Sequence, residues 1–423
     1  MHEHIKDLLD FLDGSPSAAQ ASAEVRKRLE ASGFQALYER DRWNLEPGDK
    51  RYIVRATSVI AFVVGSEPLT AAGYHIAASH IDSPGLKLKP ESVRTENGVT
   101  RVAVEVYGGP ILSTWTDRDL GIAGQVAVKL DDGTTGLKTV DLKTTAAVIP
   151  NAAIHLNREV NKGFKYNPQT HLQAILSSTS TSADPLKEAV AAAIGIDPEL
   201  ILDMELFLYD RAKAETGGLD NSLIFSGRLD NLGMSHAILS AIRGTEKPRL
   251  TCVAALFDHE EIGSTTLQGA DSSLLANTLE RIALARGLDR EEYLISLDRS
   301  FLVSADMAHA YHPGYPEKYD PKTSPAMNGG PAIKWNASHK YTTTVASSTV
   351  FAQNAKAAGV NCQKFMMHSD LLCGSTVGSM LAAKLGISTV DVGNPLWAMH
   401  SIRETAGVND HLDMIKVLSH YYH

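Results

Sequence analysis

Two adjacent glutamates stand in the segment Phe257-Asp-His-Glu-Glu-Ile-Gly-Ser264, directly after the apolar run Leu250 to Phe257. On a solvated loop they would be ordinary surface charges. Buried side by side, two carboxylates repel strongly unless cations or shared protons compensate. Metal-assisted hydrolysis asks for such a pair, one carboxylate on a metal and one free as general base. On that division Glu261 is the ligand and Glu260 the base. Four further points carry acid or imidazole groups. In Ser79-His80-Ile81-Asp82 an extended chain puts residues two apart on one face, so His80 can ligate while Asp82 orients it, the support a metal-bound imidazole usually has. Gly227-Arg-Leu-Asp-Asn-Leu-Gly233 sets Asp230 before a helix, where, in isolation, an N-cap is the plainer reading. Asp306 follows a strand in Val303-Ser-Ala-Asp-Met-Ala-His309. His400, in Ala398-Met-His-Ser-Ile-Arg-Glu404, follows the last strand that the sequence suggests. Taken singly, each has a plainer role as a turn, cap or core residue. Of 16 histidines, only two are assigned to metal. Together, carboxylates and imidazoles suit zinc, manganese or cobalt. Two such ions about 3.5–4 Å apart can activate water and stabilise the tetrahedral intermediate of peptide-bond hydrolysis.

The elements that must bring these points together are legible in outline. Ile5, Leu8, Leu9 and Leu12 follow helical spacing. Ser15 and Pro16 read as N-cap and first position of a second helix running to about Ala31 and stopping at Gly33. Strand-like runs follow at Tyr52 to Val54, Val59 to Val64 and His75 to Ala78. From about Lys87 to Gly218 the texture changes: Arg101 to Tyr107 and Gly124 to Leu130 are strand-like, Asp131-Asp-Gly133 reads as a hairpin turn, and the small polar stretch Ser177 to Asp184 as a loop. Residues 88–218 are therefore expected to be an inserted β-rich domain. After Gly227 helices (Leu232 to Ile242, Ser273 to Arg286, Val345 to Ala358, Thr376 to Leu385) alternate with strands (Leu250 to Phe257, Phe301 to Ser304, Thr389 to Val392). The expected fold is α/β, a mostly parallel sheet flanked by helices, assembled from residues 1–87 and 219–423. Such sheets gather their sites outside the carboxyl ends of their strands, where these five points would meet.

Bulk properties narrow the function classes. The 423 residues, 43% hydrophobic and 21% charged, are those of a globular chain able to bury a sizeable core. The formal net charge is −9 and no Lys/Arg-dense run occurs, so a nucleic-acid partner is not expected. An acidic substrate stays open, because bulk charge is screened within roughly 8–10 Å. Cys252, Cys362 and Cys373 form no C-x-x-C pair, and an odd count suits a reducing cytoplasm. The start of the chain has no signal-peptide pattern, and no stretch reaches the ~18 apolar residues of a membrane span.

The chain resembles the aspartyl aminopeptidase family of co-catalytic metallo-aminopeptidases. The matching segments are SHIDSPGLKLKP, YGGPILSTW, DRDLGIAG, AIHLNR, GRLDNL, DHEEIGS, SADMAHA, GGPAIKWN, LCGSTVG and AMHSIRE, in family order from about residue 20 to the C terminus. The resemblance implies two divalent ions per subunit, zinc before manganese or cobalt. His80 and Asp306 would hold one, Glu261 and His400 the other, and Asp230 would bridge both. Glu260 would be the general base and Asp82 would orient His80. It further implies that residues 88–218 mediate dimerisation within a homo-oligomer, a tetrahedral dodecamer, and that His155 reaches a neighbouring subunit's site. Lys334 would bind the acidic side chain of the substrate's first residue, with Tyr341 and His309 as further pocket positions. A locally satisfied histidine at position 155 and a lysine with its head in water at 334 are the plainer readings.

Three functions compete: removal of N-terminal Asp or Glu from peptides, a two-metal aminopeptidase with neutral preference, and an assembly or cargo scaffold without activity. The complete ligand set with Glu260 argues against the last, Lys334 against the second.

Overall fold

A computed structural model describes residues 1–179 and 182–423. It is a mixed α/β fold, with three sheets and eleven α-helices among the described residues. The largest sheet has nine strands. Its four central ones, Thr251–Phe257, Tyr74–His80, Phe301–Ala305 and Ser388–Gly393, run parallel. Antiparallel neighbours flank them: Ser58–Val63 lies beside Thr251–Phe257, and Ala332–Trp335 beside Ser388–Gly393.

The strand Thr251–Phe257 shows why the centre is continuous apolar sequence. Cys252, Ala254 and Leu256 enter one core and Val253, Ala255 and Phe257 the other, because successive side chains alternate and both faces are covered. The first core is closed by the helices Glu3–Asp13, Ala18–Ala31, Leu229–Arg243, Val345–Ala357 and Val408–Tyr421. The second is closed by Leu274–Ala285, Arg290–Asp298 and Val377–Leu385. Each large side chain so buried contributes about 1.5–3 kcal/mol.

A seven-stranded sheet is built between Gly85–Leu88 and Ile201–Asp210, with its own core around Trp115, Val126 and Leu206. The turn at 131–133 joins Leu120–Lys129 to Thr135–Asp141, with Gly133 at φ 83°. Residues 180 and 181 of the expected loop Ser177 to Asp184 lie outside the described residues. A third, five-stranded sheet joins Glu215–Gly217, Leu223–Ser226, Glu404–Gly407, Pro395–Trp397 and Ala308–His309.

Two local expectations are corrected. The second helix begins at Ala18 after Ser17, not at Pro16. The Arg228 guanidinium donates to the carbonyls of Leu12 and Ser15, and the Ser15 N–H closes a turn onto the Leu12 carbonyl, so the link between the two helices extends past Pro16. His400 does not follow the last strand: it sits in the hairpin loop between Pro395–Trp397 and Glu404–Gly407. The latter strand, Glu-Thr-Ala-Gly, has little β propensity of its own and is held by pairing with residues some 180 positions earlier.

Candidate metal centre

Three of the parallel strands end at the site. His80 is the last residue of Tyr74–His80, directly opposite Phe257 in register. Asp306 follows Phe301–Ala305, and Glu260 and Glu261 follow Thr251–Phe257 in a single helical turn. Asp230 comes from the irregular start of Leu229–Arg243, whose peptide to Asn231 is cis, and His400 from the hairpin loop. Lys334 lies mid-strand in Ala332–Trp335.

These side chains converge. His80 Nε2 stands 3.6 Å from Asp230 Oδ1, 3.8 Å from Asp306 Oδ1 and 3.9 Å from Glu260 Oε2. His400 Nε2 stands 3.3 Å from Asp230 Oδ2 and 3.6 Å from Glu261 Oε1. Ligand atoms of His80, Asp230 and Glu261 all lie within 4.8 Å of one another. Asp230 is 3% exposed, and its Oδ1 has no hydrogen-bond donor. A zinc ion with bonds of about 2.0–2.2 Å separates its tetrahedral ligands by roughly 3.3–3.6 Å, close to the observed spacings, and a lone carboxylate oxygen is what such an ion would satisfy.

The imidazoles are turned for the same purpose. His80 Nδ1 is 3.0 Å from the Asp82 carbonyl and His400 Nδ1 is 3.0 Å from the Gly109 carbonyl. A carbonyl only accepts, so each Nδ1 donates there and each Nε2 is the nitrogen that faces the cluster, able to ligate once it carries no proton. Asp82 does more than sit beside His80. Its carboxylate accepts the N–H of Glu260 at 3.2 Å, the N–H of Glu261 at 3.1 Å and the Tyr107 hydroxyl at 2.8 Å, so it aims the two-glutamate turn as well.

The clustered charges shift one another's titration. Burial opposes a charged imidazole, but Asp306, Asp82 and Glu260 outweigh it and hold His80 well above its usual value. His400 rises to about 10, burial again opposing and Asp230 and Glu261 driving it. Burial first, then the Asp230 charge, holds Glu261 well above the carboxylate range. Glu260 is raised to about 7 by burial, with His80 opposing and Asp306, Asp82 and Asp230 assisting. Metal ligands must shed these protons.

Lys334 is 2% exposed, with Nζ 3.4 Å from Asp306 Oδ2 and 5.2 Å over the Tyr341 ring; its head is not in water. His309 packs edge-on to Phe365, the register partner of Lys334. Burial, then the Lys334 charge, lowers its pKa. His155 is not brought to the cluster. It lies on an exposed turn between Ile154 and Leu156, which are 48% and 84% exposed.

Sequence reasoning passed over two contributors. Tyr107 opens the matching segment YGGPILSTW, but a tyrosine ending a strand gives no local sign of a partner. Glu404 closes the segment AMHSIRE, but only the fold reveals that its carboxylate accepts the N–H groups of Asp230 and His400.

The family model for the aminopeptidase I zinc metalloprotease family (M18) matches residues 11–422. The chain belongs to the M18 aminopeptidases. It is thus a metallopeptidase of a zinc-dependent family. A probable M18 family aminopeptidase 2 of Clostridium novyi (strain NT) is 42% identical over 422 residues, 98% of each chain. One of Pseudomonas fluorescens (strain SBW25) is 41% identical over 98% of this chain and 97% of its own. Among solved structures, a chain from the complex of Ape4 and Nbr1 superposes with TM-score 0.95 at 38% identity, covering 99% of this chain and 85% of the other. The S. cerevisiae mApe1 dodecamer gives 0.87 at 27% identity, over 99% and 96%. No helix of this M18 aminopeptidase, among the described residues, is long and apolar enough to cross a membrane.

Proposed function

We propose that this M18 aminopeptidase removes N-terminal Asp or Glu from peptides at a centre of two divalent ions, zinc before manganese or cobalt. The observation that carries the reading is the division of Asp230: Oδ1 turns to His80 and Oδ2 to His400, at 3.6 and 3.3 Å. One carboxylate placed between two imidazoles, each of which also faces a further carboxylate of its own, Asp306 for His80 and Glu261 for His400, suits a bridge between two ions. Charge agrees, for among the described residues Asp82, Asp230, Glu260, Glu261 and Asp306 face only Lys334 as a permanent cation, and two dications would balance the set. His80 and Asp306 would hold one ion, Glu261 and His400 the other. When bound, the ions would polarise the scissile carbonyl and acidify water. Glu260 would take the proton of the attacking water and return it to the leaving amine. The Lys334 ammonium, beside His309 and Tyr341, would receive the acidic side chain of the first residue. The complete ligand set with Glu260 argues against a silent scaffold, and the buried Lys334 argues against a neutral preference.

Hydrolysis of Asp-, Glu- and Leu-linked chromogenic substrates, before and after chelation and metal add-back, tests it. Asp and Glu substrates should be cut and Leu poorly, with activity lost to chelator and regained with zinc. Equal rates on Leu would remove the acidic preference, and no cleavage after add-back would favour a scaffold.

The same reading divides the chain into a catalytic part, 1–87 and 219–423, carrying the mostly parallel sheet, and an inserted dimerisation domain, 88–218, within a cytoplasmic dodecamer like the one solved for mApe1. Its exposed turn would present His155 to a neighbouring subunit's site. A His155→Phe protein of unchanged assembly, checked by light scattering, should then lose most of its turnover. Full turnover in an intact assembly would end the shared-site idea.

A further inference from the structure

We infer that Glu404 is a positioning residue for the metal centre, one buried carboxylate that sets the spacing of Asp230 and His400 by holding both of their backbones. This rests on the reading of those two residues as ligands. Glu404 is 2% exposed. Its Oε1 accepts the His400 N–H at 2.8 Å and its Oε2 the Asp230 N–H at 3.0 Å.

The surrounding chain explains why such a clamp is needed. Ladder pairing between Leu223–Ser226 and Glu404–Gly407 ends at Ser226 opposite Glu404. Beyond it one chain runs through Gly227 to Asp230, and the other loops back through residues 398–403. Neither path is regular: Arg228, Ala398 and His400 all have φ between 55 and 68°, a conformation non-glycine residues adopt only when their surroundings impose it. The two loops touch at Gly227, where a Cβ would stand 2.6 Å from the Ile402 carbonyl oxygen. From these loops the Asp230 and His400 side chains must meet 3.3 Å apart. Both amides point at one carboxylate, whose two oxygens are a fixed distance apart, so the separation of the two backbones is set by a rigid group.

An ordinary buried acceptor would stabilise the fold without governing the site, and the test separates the two. Glu404→Gln keeps size and shape but replaces one acceptor by an NH₂ donor, so one of the two N–H groups must turn away. Zinc affinity by competition with a chromophoric chelator should weaken about 10- to 100-fold, the usual effect of losing support around a metal ligand. The visible spectrum of the cobalt-loaded protein should change, with far-UV circular dichroism unaltered. Zinc affinity within twofold of wild type and a superimposable cobalt spectrum would overturn the inference. If E404Q does not fold, residue-resolved hydrogen exchange of the metal-free wild type decides. The Asp230 and His400 amides should be protected alongside Glu404–Gly407, and either one exchanging as a free loop amide would overturn it. A wild-type protein that takes up no divalent ion would instead remove the ligand reading itself, a failure distinct from an E404Q protein that binds zinc like its parent.

Discussion

Replacing Glu260 by glutamine is expected to lower kcat by about 10²- to 10⁴-fold, the usual contribution of a positioned general base, while bound metal measured by atomic emission stays at the wild-type level. The size follows from where Glu260 sits. Its amide is tied to Asp82 Oδ1 and its carboxylate lies 3.9 Å from His80 Nε2, within the cluster but further from an imidazole than Asp230 or Asp306. Burial, with His80 opposing and the neighbouring carboxylates assisting, brings its pKa to about 7. A carboxylate held there can accept a proton from the attacking water and surrender it to the leaving amine. Glutamine fills the same space and can do neither. Glu261 is the internal control. Its Oε1 is 3.6 Å from His400 Nε2, so Glu261→Gln should lose metal along with turnover. If instead Glu260→Gln empties the site and Glu261→Gln keeps it full, the roles of the two glutamates are reversed.

The adjacent glutamates were legible because the strand before them is unbroken apolar sequence. Carboxylates placed straight after a strand buried on both faces must stand at a sheet end. The same logic located His80 and Asp306. Convergence was not legible from spacing: Asp230 and His80 are 150 positions apart, and an aspartate before a helix is an N-cap in most settings. Resemblance to a family, rather than local pattern, separated those readings. What escaped altogether were groups whose partners are backbone amides or other side chains. Glu404 and Tyr107 act through the fold's third dimension, and nothing in the residues around them differs from a surface glutamate or a strand tyrosine. Regular elements were missed for other reasons. In Arg290–Asp298 only Tyr293, Ser296 and Leu297 are buried, so its apolar face is thin. Val408–Tyr421 buries His411, Met414, Ile415 and Leu418 at i, i+3, i+4 and i+7. That pattern was readable, yet no helix was expected after the strand at Thr389.

Lys334→Met is expected to collapse the preference for acidic residues. Lys334 is nearly inaccessible, and among the described residues its ammonium meets Asp306 Oδ2 at 3.4 Å and the Tyr341 ring at 5.2 Å. A substrate carboxylate entering there would be stripped of water and would need that charge. Truncating one member of a desolvated charge pair costs about 2–5 kcal/mol, or roughly 30- to several-thousand-fold in kcat/KM for Asp- and Glu-linked substrates. Methionine is unbranched and of similar length, so packing against Tyr341 is largely kept. Leu-linked substrates bring no carboxylate and should lose far less. The ratio between substrates carries the test, because the lysine has a second possible duty. If it serves only to offset the Asp306 charge and hold that ligand in place, every substrate should slow by the same factor. An unchanged Asp-to-Leu ratio would assign Lys334 to the metal centre and leave acidic recognition to another group. A fall confined to acidic substrates would assign it to the first residue of the peptide.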